Sequence, residues 1–227
     1  MRMEPMDREQ QDKYVAAEFD RQARRYDDSL TVRSFQSRTQ SLVLEKMRIE
    51  KGMHVLDLGC GTGTVTLEVA SRLEGTGRVV GLDLSEKMLG EAERKLAELG
   101  YTNVEFVLGS ASDLSYESCF DYVLSTNAFH HFGDKAGVFS RVWRSLKPGG
   151  CFLVQDICDD FILMKVVDFA GKIGERAHVG STTSLGLREL LASAGFVDVE
   201  VQVQKLNWFW GIMVGKGSRG HKSGGQE

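Results

Sequence analysis

The chain has 227 residues, 42% of them hydrophobic and 26% charged, with a net charge of −4. That length fits one domain with a substantial core, since single domains run to about 250 residues. The acid excess argues against a general nucleic-acid binder, which needs a basic face for phosphates. No apolar run approaches the ~18 residues of a membrane span. The opening Met1-Arg2-Met3-Glu4-Pro5 lacks the apolar core of a secretory leader, so a cytoplasmic protein is expected. Cys60, Cys119, Cys151 and Cys158 form no CxxC pair, and no His stands at zinc-ligand spacing, so free thiols and no metal are expected.

In chain order, residues 7–27 read as a polar helix with Tyr14, Phe19, Ala23 and Tyr26 on one face, and residues 31–48 as a second helix. Strands are then expected near 53–58, 78–83, 103–108, 120–125 and 151–157, and helices near 63–73, 85–99 and 134–146. The apolar runs are short and nearly continuous, the pattern of parallel strands covered on both faces. Ser85 with Glu86 reads as a helix start and Gly100 as a helix end. Lys147-Pro148-Gly149-Gly150 reads as a turn between helix and strand. Beyond Cys158 a helix is expected over 161–177, a loop over 180–184 and a helix over 185–194. Residues 197–204 alternate like a half-wet strand, and a last strand is expected at 208–215. The remainder, rich in Gly, Ser and Lys, reads as a disordered tail to a single domain over residues 1–216.

One stretch carries chemistry. Val55-Leu56-Asp57-Leu58-Gly59-Cys60-Gly61-Thr62-Gly63 is an apolar run ending in an acid and a glycine-rich turn. About twenty residues on, Val79-Val80-Gly81-Leu82-Asp83 ends a second apolar run in another acid, the layout of a βαβ unit that holds an adenosine group at the carboxyl ends of its strands. Glycines at 59, 61 and 63 can take positive φ and let the backbone approach a ligand closely. An Asp83 carboxylate can accept both hydroxyls of a ribose. The spacing is GxGxG, not the GxGxxG of dinucleotide enzymes, and Asp57 stands where a cationic group would be welcome. A pyrophosphate would instead want unopposed N–H groups at the helix start. These features favour S-adenosylmethionine over a nicotinamide cofactor, or over a tight turn that binds nothing.

With Ala128-Phe129-His130-His131-Phe132 after the fourth strand and Leu146-Lys147-Pro148-Gly149-Gly150 before the fifth, the chain resembles the class I methyltransferases. Within them it is similar to the ubiquinone and menaquinone C-methyltransferase-like family. The resemblance covers about residues 15–216. It implies a Rossmann-like α/β fold: a seven-stranded, mostly parallel sheet with an antiparallel last strand, helices on both faces and an N-terminal helical cap over 7–48. It also implies roles. Gly59, Cys60 and Gly61 would line the cofactor and Asp57 would lie toward its methionine end. Asp83 would hold the ribose, Leu84 and Met88 would pack on the adenine, and Ser110-Ala111 would lie at the adenine edge. Asn127 would offer its backbone to the methionine ammonium. The family commonly carries an acid at the position of Ser110, so here Ser110 itself or Asp113 would take that contact.

Other residues admit two readings each. His131, with His130, can act as a general base near the methyl group, or can cap the next segment and pack under the cofactor. Tyr26 can reach the methionine end or pin down the first helix. His178, Arg33 and Arg38 read most simply as solvated, Trp208 and Trp210 as packing. Phe161, Leu163, Met164, Val167 and Phe169 form either an acceptor wall or the core face of a helix. No Pro-Pro-aromatic run follows the fourth strand and no Pro-Cys nucleophile is present, which disfavours nucleobase chemistry. The expected activity is methyl transfer from S-adenosylmethionine to a small-molecule acceptor, seated between residues 7–48 and 158–183. A non-catalytic methyltransferase-like subunit, or a macromolecular acceptor, is the alternative.

Overall fold

The computed structural model describes residues 7–28, 39–160, 182–206 and 211–221. Helix α1 (Arg8–Tyr26) starts at Asp7, whose side chain accepts the Gln10 N–H, and carries Arg24 and Arg25 in its last turn, charges suited to the two ends of a helix dipole. After a helical piece over residues 39–44, strand and helix alternate. They are β1 (His54–Leu58), α2 (Thr64–Arg72), β2 (Arg78–Asp83), α3 (Glu86–Leu99), β3 (Val104–Leu108), β4 (Phe120–Thr126), α4 (Lys135–Ser145) and β5 (Leu146–Ile157). Helix α5 (Ser184–Ser193), β6 (Phe196–Lys205) and β7 (Gly211–Arg219) complete the domain. The Ser85 hydroxyl caps α3 by accepting the Met88 N–H, and Gly100 ends it at φ 72°.

The strands form one sheet in the order β3-β2-β1-β4-β5-β7-β6. β7 runs antiparallel to both β5 and β6, and the other neighbours are parallel. This is the seven-stranded Rossmann-like sheet that the resemblance implies. The registers put Leu56 beside Val80 and Val123, and Val123 beside Phe152. That row packs against Val138, Phe139 and Val142 of α4 and Leu187 and Leu191 of α5. The alternate row, with Val55, Val79, Leu124 and Leu153, packs against Val65 and Val69 of α2 and against Val43 and Leu44. Each of these side chains is buried, which stabilises the fold by about 1.5–3 kcal/mol apiece. Strand order reverses between β1 and β4, which opens a crevice at their carboxyl ends.

Three expectations are corrected. The Lys147-Pro148-Gly149-Gly150 turn is absorbed into β5: Leu146 already pairs with Phe120, and the register then slips between Phe120 and Tyr122. A Cβ on Gly150 would lie 3.0 Å from the Phe120 carbonyl oxygen, so this crossing of backbones needs glycine. The last strand does not stop at 215 but runs to Arg219, because pairing continues through Ser218 on both sides. Gly217 leaves room for Phe196, and Arg219 lies over the Trp143 ring and donates to the Arg144 carbonyl. The second helix ends at residue 44 rather than 48. The helix expected over 161–177, with Phe161, Leu163, Met164, Val167 and Phe169, lies outside the described residues, as do His178, Arg33, Arg38, Trp208 and Trp210.

Candidate functional site

The crevice is floored by the turn after β1. Gly59, Gly61 and Gly63 all take positive φ, at 69°, 54° and 76°. The N–H groups of Gly59 and Cys60 both donate to the Leu82 carbonyl, at 2.8 and 3.1 Å, which folds the turn over the end of β2. A Cβ on Gly59 would come within 2.4 Å of the Ala128 Cβ, so this glycine serves packing. A Cβ on Gly61 would meet nothing within 4 Å, so this glycine faces open space. Its N–H donates to Asp83 Oδ2 at 2.8 Å, while the Ser85 N–H donates to Oδ1 at 2.9 Å. Burial pushes the Asp83 carboxyl up from its ordinary value, against these N–H groups, which act the other way. Each carboxylate oxygen keeps a lone pair for a ligand.

Tyr26, Gly59, Cys60, Gly61, Asp83, Leu84, Met88, Ser110, Ala111, Asn127 and His131 all border one cavity above this turn. Asp57 is not among them. It is 1% exposed and lies beneath the turn, where its Oδ2 accepts the Thr66 hydroxyl of α2 at 2.7 Å and its Oδ1 has no hydrogen-bond partner. Burial drives its carboxyl up to about 6.

The reading of Ser110 changes too. Asp113 does not stand in for the missing acid; it pairs with Arg8 at 3.0 Å, off the cavity. The acid beside Ser110 comes from α1: Asp12 Oδ2 accepts the Ser110 hydroxyl at 2.7 Å and borders the cavity. Asp20 accepts the Ser85 hydroxyl at 2.5 Å and the Lys87 N–H at 3.2 Å. Asp27 accepts the Thr62 hydroxyl at 2.9 Å and meets Lys95 at 2.5 Å. One row of carboxylates thus fastens α1 to the turns after β1, β2 and β3, while Val15, Phe19 and Tyr26 of the same helix wall the cavity. The sequence signal for this row was its recurrence about every two helical turns.

At the end of β4, Asn127 takes φ 53°, a backbone position uncommon for a residue with a side chain. Its N–H donates to the Gln155 carbonyl at 2.9 Å, and its side chain bonds those of Gln155 and Thr39. His131 follows in the one-turn helix Phe129–His131, its ring edge-on to Phe19 at 5.1 Å between centroids.

Among the described residues the cavity wall holds two carboxylates, Asp12 and Asp83, and no Lys or Arg. A pyrophosphate is ill served there, and a ligand carrying ammonium and sulfonium charges is well served. The open face of Gly61, the carboxylate of Asp83 at the end of β2 and the apolar pair Leu84 and Met88 fit S-adenosylmethionine. Fold and site together define a class I S-adenosylmethionine-dependent methyltransferase, and the chain belongs to that family. The family profile described as a methyltransferase domain matches residues 49–195. A demethylmenaquinone methyltransferase of Symbiobacterium thermophilum is 29% identical over 89% of this chain and 92% of its own length. That of Lactococcus lactis is 30% identical over 78% of this chain and 79% of its own. Among solved structures, a phosphoethanolamine N-methyltransferase of Haemonchus contortus in complex with S-adenosyl-L-methionine superposes with a TM-score of 0.71. It is 19% identical and covers 89% of this chain and 60% of that one, a likeness of fold.

Proposed function

We propose that this methyltransferase acts on a small, partly apolar acceptor. The observation that carries the reading is the lining of the cavity above the glycine turn, to which Val15, Phe19, Tyr26, His131 and Phe132 contribute apolar and aromatic surface. A phosphate-rich polymer would need a basic cleft there instead. Because relatives sharing about 30% of their residues with this chain are named demethylmenaquinone methyltransferases, a demethylated naphthoquinol is the first acceptor to assay.

In the same reading Asp83 holds the ribose hydroxyls, and Leu84 and Met88 pack on the adenine. Asp12 and Ser110 stand at the adenine edge, and Asn127, with Tyr26, faces the methionine end. When bound, S-adenosylmethionine supplies a methyl carbon on a good leaving group. The protein therefore has three tasks: to orient the acceptor in line with that carbon, to exclude water, and to receive a proton where the acceptor sheds one. Helix α1 performs the second, since its aromatic side chains cover the crevice. Calorimetry with S-adenosylmethionine and its demethylated product, followed by transfer of a labelled methyl group to quinols, phenols, amines, thiols, RNA and protein, tests the proposal. Label found only in RNA or protein would overturn it.

A further inference from the structure

We infer that Phe19 reads the positive charge on the cofactor's sulfur, so that helix α1 holds the methyl donor more firmly, relative to the demethylated product, than an aliphatic lid would. This rests on the reading of the crevice as an S-adenosylmethionine site and adds to it a residue that tells the two ligands apart.

The order of the strands places the ring. From one edge the sheet runs β3, β2, β1, β4. Asp20, the next residue along α1, is fastened to the Ser85 hydroxyl just past β2. Phe19 itself meets the ring of His131, just past β4, at 5.1 Å between centroids. The turn after β1 lies between those two anchors, and Phe19 borders the cavity together with Gly59 and Gly61 of that turn. In the reading above, Asp83 at the end of β2 holds the ribose and Asn127 past β4 faces the methionine end. The sulfur joins those two parts of the ligand, so it falls in the same middle stretch.

The remaining lining decides what meets a sulfonium there. Among the described residues the two carboxylates of the cavity stand on its β2 and β3 side: Asp83 ends β2, and Asp12 is fastened to Ser110 past β3. Asp57 lies beneath the turn, off the cavity. Past β4 the described lining holds no carboxylate. A cation pressed against aliphatic surface alone loses hydration without compensation. The face of an aromatic ring carries negative potential and attracts a ligand cation within about 6 Å of its centre. Phe19 is built to offer such a ring. It is half-buried, and near-perpendicular contacts with Tyr26, at 71° and 6.2 Å, and with His131, at 86°, steady its plane from two sides.

A ring suits a site that must bind the donor and then release the product. In methyl transfer an electron pair of the acceptor bonds to the methyl carbon. The bond from that carbon to sulfur breaks and leaves its pair on sulfur, which becomes a neutral thioether. The positive charge passes to the acceptor, which keeps it or sheds a proton. A carboxylate beside the sulfur would then be left buried without its counter-charge, a costly state. A phenyl ring loses only its attraction. The adenosine, the ammonium and the carboxylate of the ligand are common to donor and product, so the difference that Phe19 senses is confined to the sulfur and its methyl group.

Calorimetry on the full chain, with S-adenosylmethionine and with its demethylated product, tests this without any acceptor. Replacing Phe19 by mono-, di- and trifluorinated phenylalanine drains negative potential from the ring face while keeping its shape and apolar character. The ratio of donor affinity to product affinity should fall step by step with the number of fluorines, by about tenfold over the series, while product affinity stays within about twofold. Phe19→Leu, which keeps an apolar side chain and removes the ring, should lower the same ratio by about tenfold. A ratio that stays constant across the fluorinated proteins, whether both affinities hold or both fall together, would overturn the charge-reading role and leave Phe19 as an apolar cover. The fluorinated rings keep the shape of the native one, so they decide the matter even where Phe19→Leu does not fold. Failure of the wild-type protein to bind either ligand would instead sink the cofactor reading.

Discussion

Asp57→Asn keeps the shape of the side chain and an oxygen for the Thr66 hydroxyl, removes the charge, and turns the unpartnered oxygen into an NH2 donor. In the folded chain burial raises the Asp57 carboxyl from 3.8 to about 6, the Thr66 hydrogen bond recovers part of this, and the Asp83 charge adds to the rise. A shift of about two units, at 1.36 kcal/mol each, means that ionising Asp57 costs the fold about 3 kcal/mol. Between about pH 4 and 6 the folded state keeps a proton that the unfolded chain has lost, so the contribution of this group to stability falls as pH rises through that window. Above it the full penalty stands; below it both states are protonated and the penalty is gone. Urea unfolding of the ligand-free proteins should therefore find Asp57→Asn more stable than wild type by up to about 3 kcal/mol near pH 7, with the difference closing toward about pH 4. A variant destabilised equally at both pH values would refute the reasoning and make Asp57 a purely structural hydrogen-bond partner of Thr66.

The other glycine and acid positions give separable expectations. Gly61→Ala should fold with a penalty of about 1–2 kcal/mol for its left-handed backbone, yet lose at least tenfold in S-adenosylmethionine affinity by calorimetry, because its new methyl group enters open cavity. Gly59→Ala should instead lose thermal stability through the clash with Ala128; equal melting of the two variants would contradict this. Asp83→Ala should weaken cofactor binding by tenfold or more, since charged hydrogen bonds contribute about 1.5–3 kcal/mol each, and an unchanged affinity in the folded variant would place the ribose elsewhere. Asp20→Ala leaves the buried Ser85 hydroxyl without its acceptor, at about 1–3 kcal/mol. Amide exchange in α1 should quicken about tenfold while β1 and β4 stay protected, and unchanged exchange in α1 would show that the latch carries no weight.

The parts of the fold legible in the sequence are those written locally. Short apolar runs ending in Asp57 and Asp83, a Ser85 cap and a Gly100 stop each specify an element through neighbours a few residues away, so β1, β2 and α3 follow from reading alone. What was illegible depends on partners distant in the chain. The Lys147–Gly150 segment carries every mark of a turn, yet β4 runs alongside it and turns it into a bulged strand start. Gly217 and Arg219 look like tail until Phe196 and Trp143 are placed beside them. In the site, the residues after strand ends could be named because strand ends in a parallel sheet share one edge. Asp12 was missed: its recurrence with Asp20 and Asp27 marks a row along α1, but nothing local links it to Ser110. Asp57 was misplaced for a simpler reason: alternation along β1 aims its side chain toward α2, under the turn, and the acid motif alone does not reveal which face it takes.

Helix α1 shows how local sequence and activity meet. It is polar over most of its surface, and a helix with so little apolar area gains little by forming alone. Its stability comes from docking, and its two inward rows dock differently. Val15, Phe19 and Tyr26 border the cavity that the glycine turn also lines, while Asp12, Asp20 and Asp27 hold hydroxyls on three separate turns. Those turns are held in place in part by the helix, and the helix by the turns. Anything that fills the cavity touches both and so stabilises both, in proportion to its affinity. Conversely, opening the three carboxylate contacts should ease the exit of a ligand walled in by Phe19 and Tyr26, which would couple ligand exchange to the docking of α1. The turn after β4 joins that same unit, because the Phe19 that helps close the cavity also meets His131 edge-on.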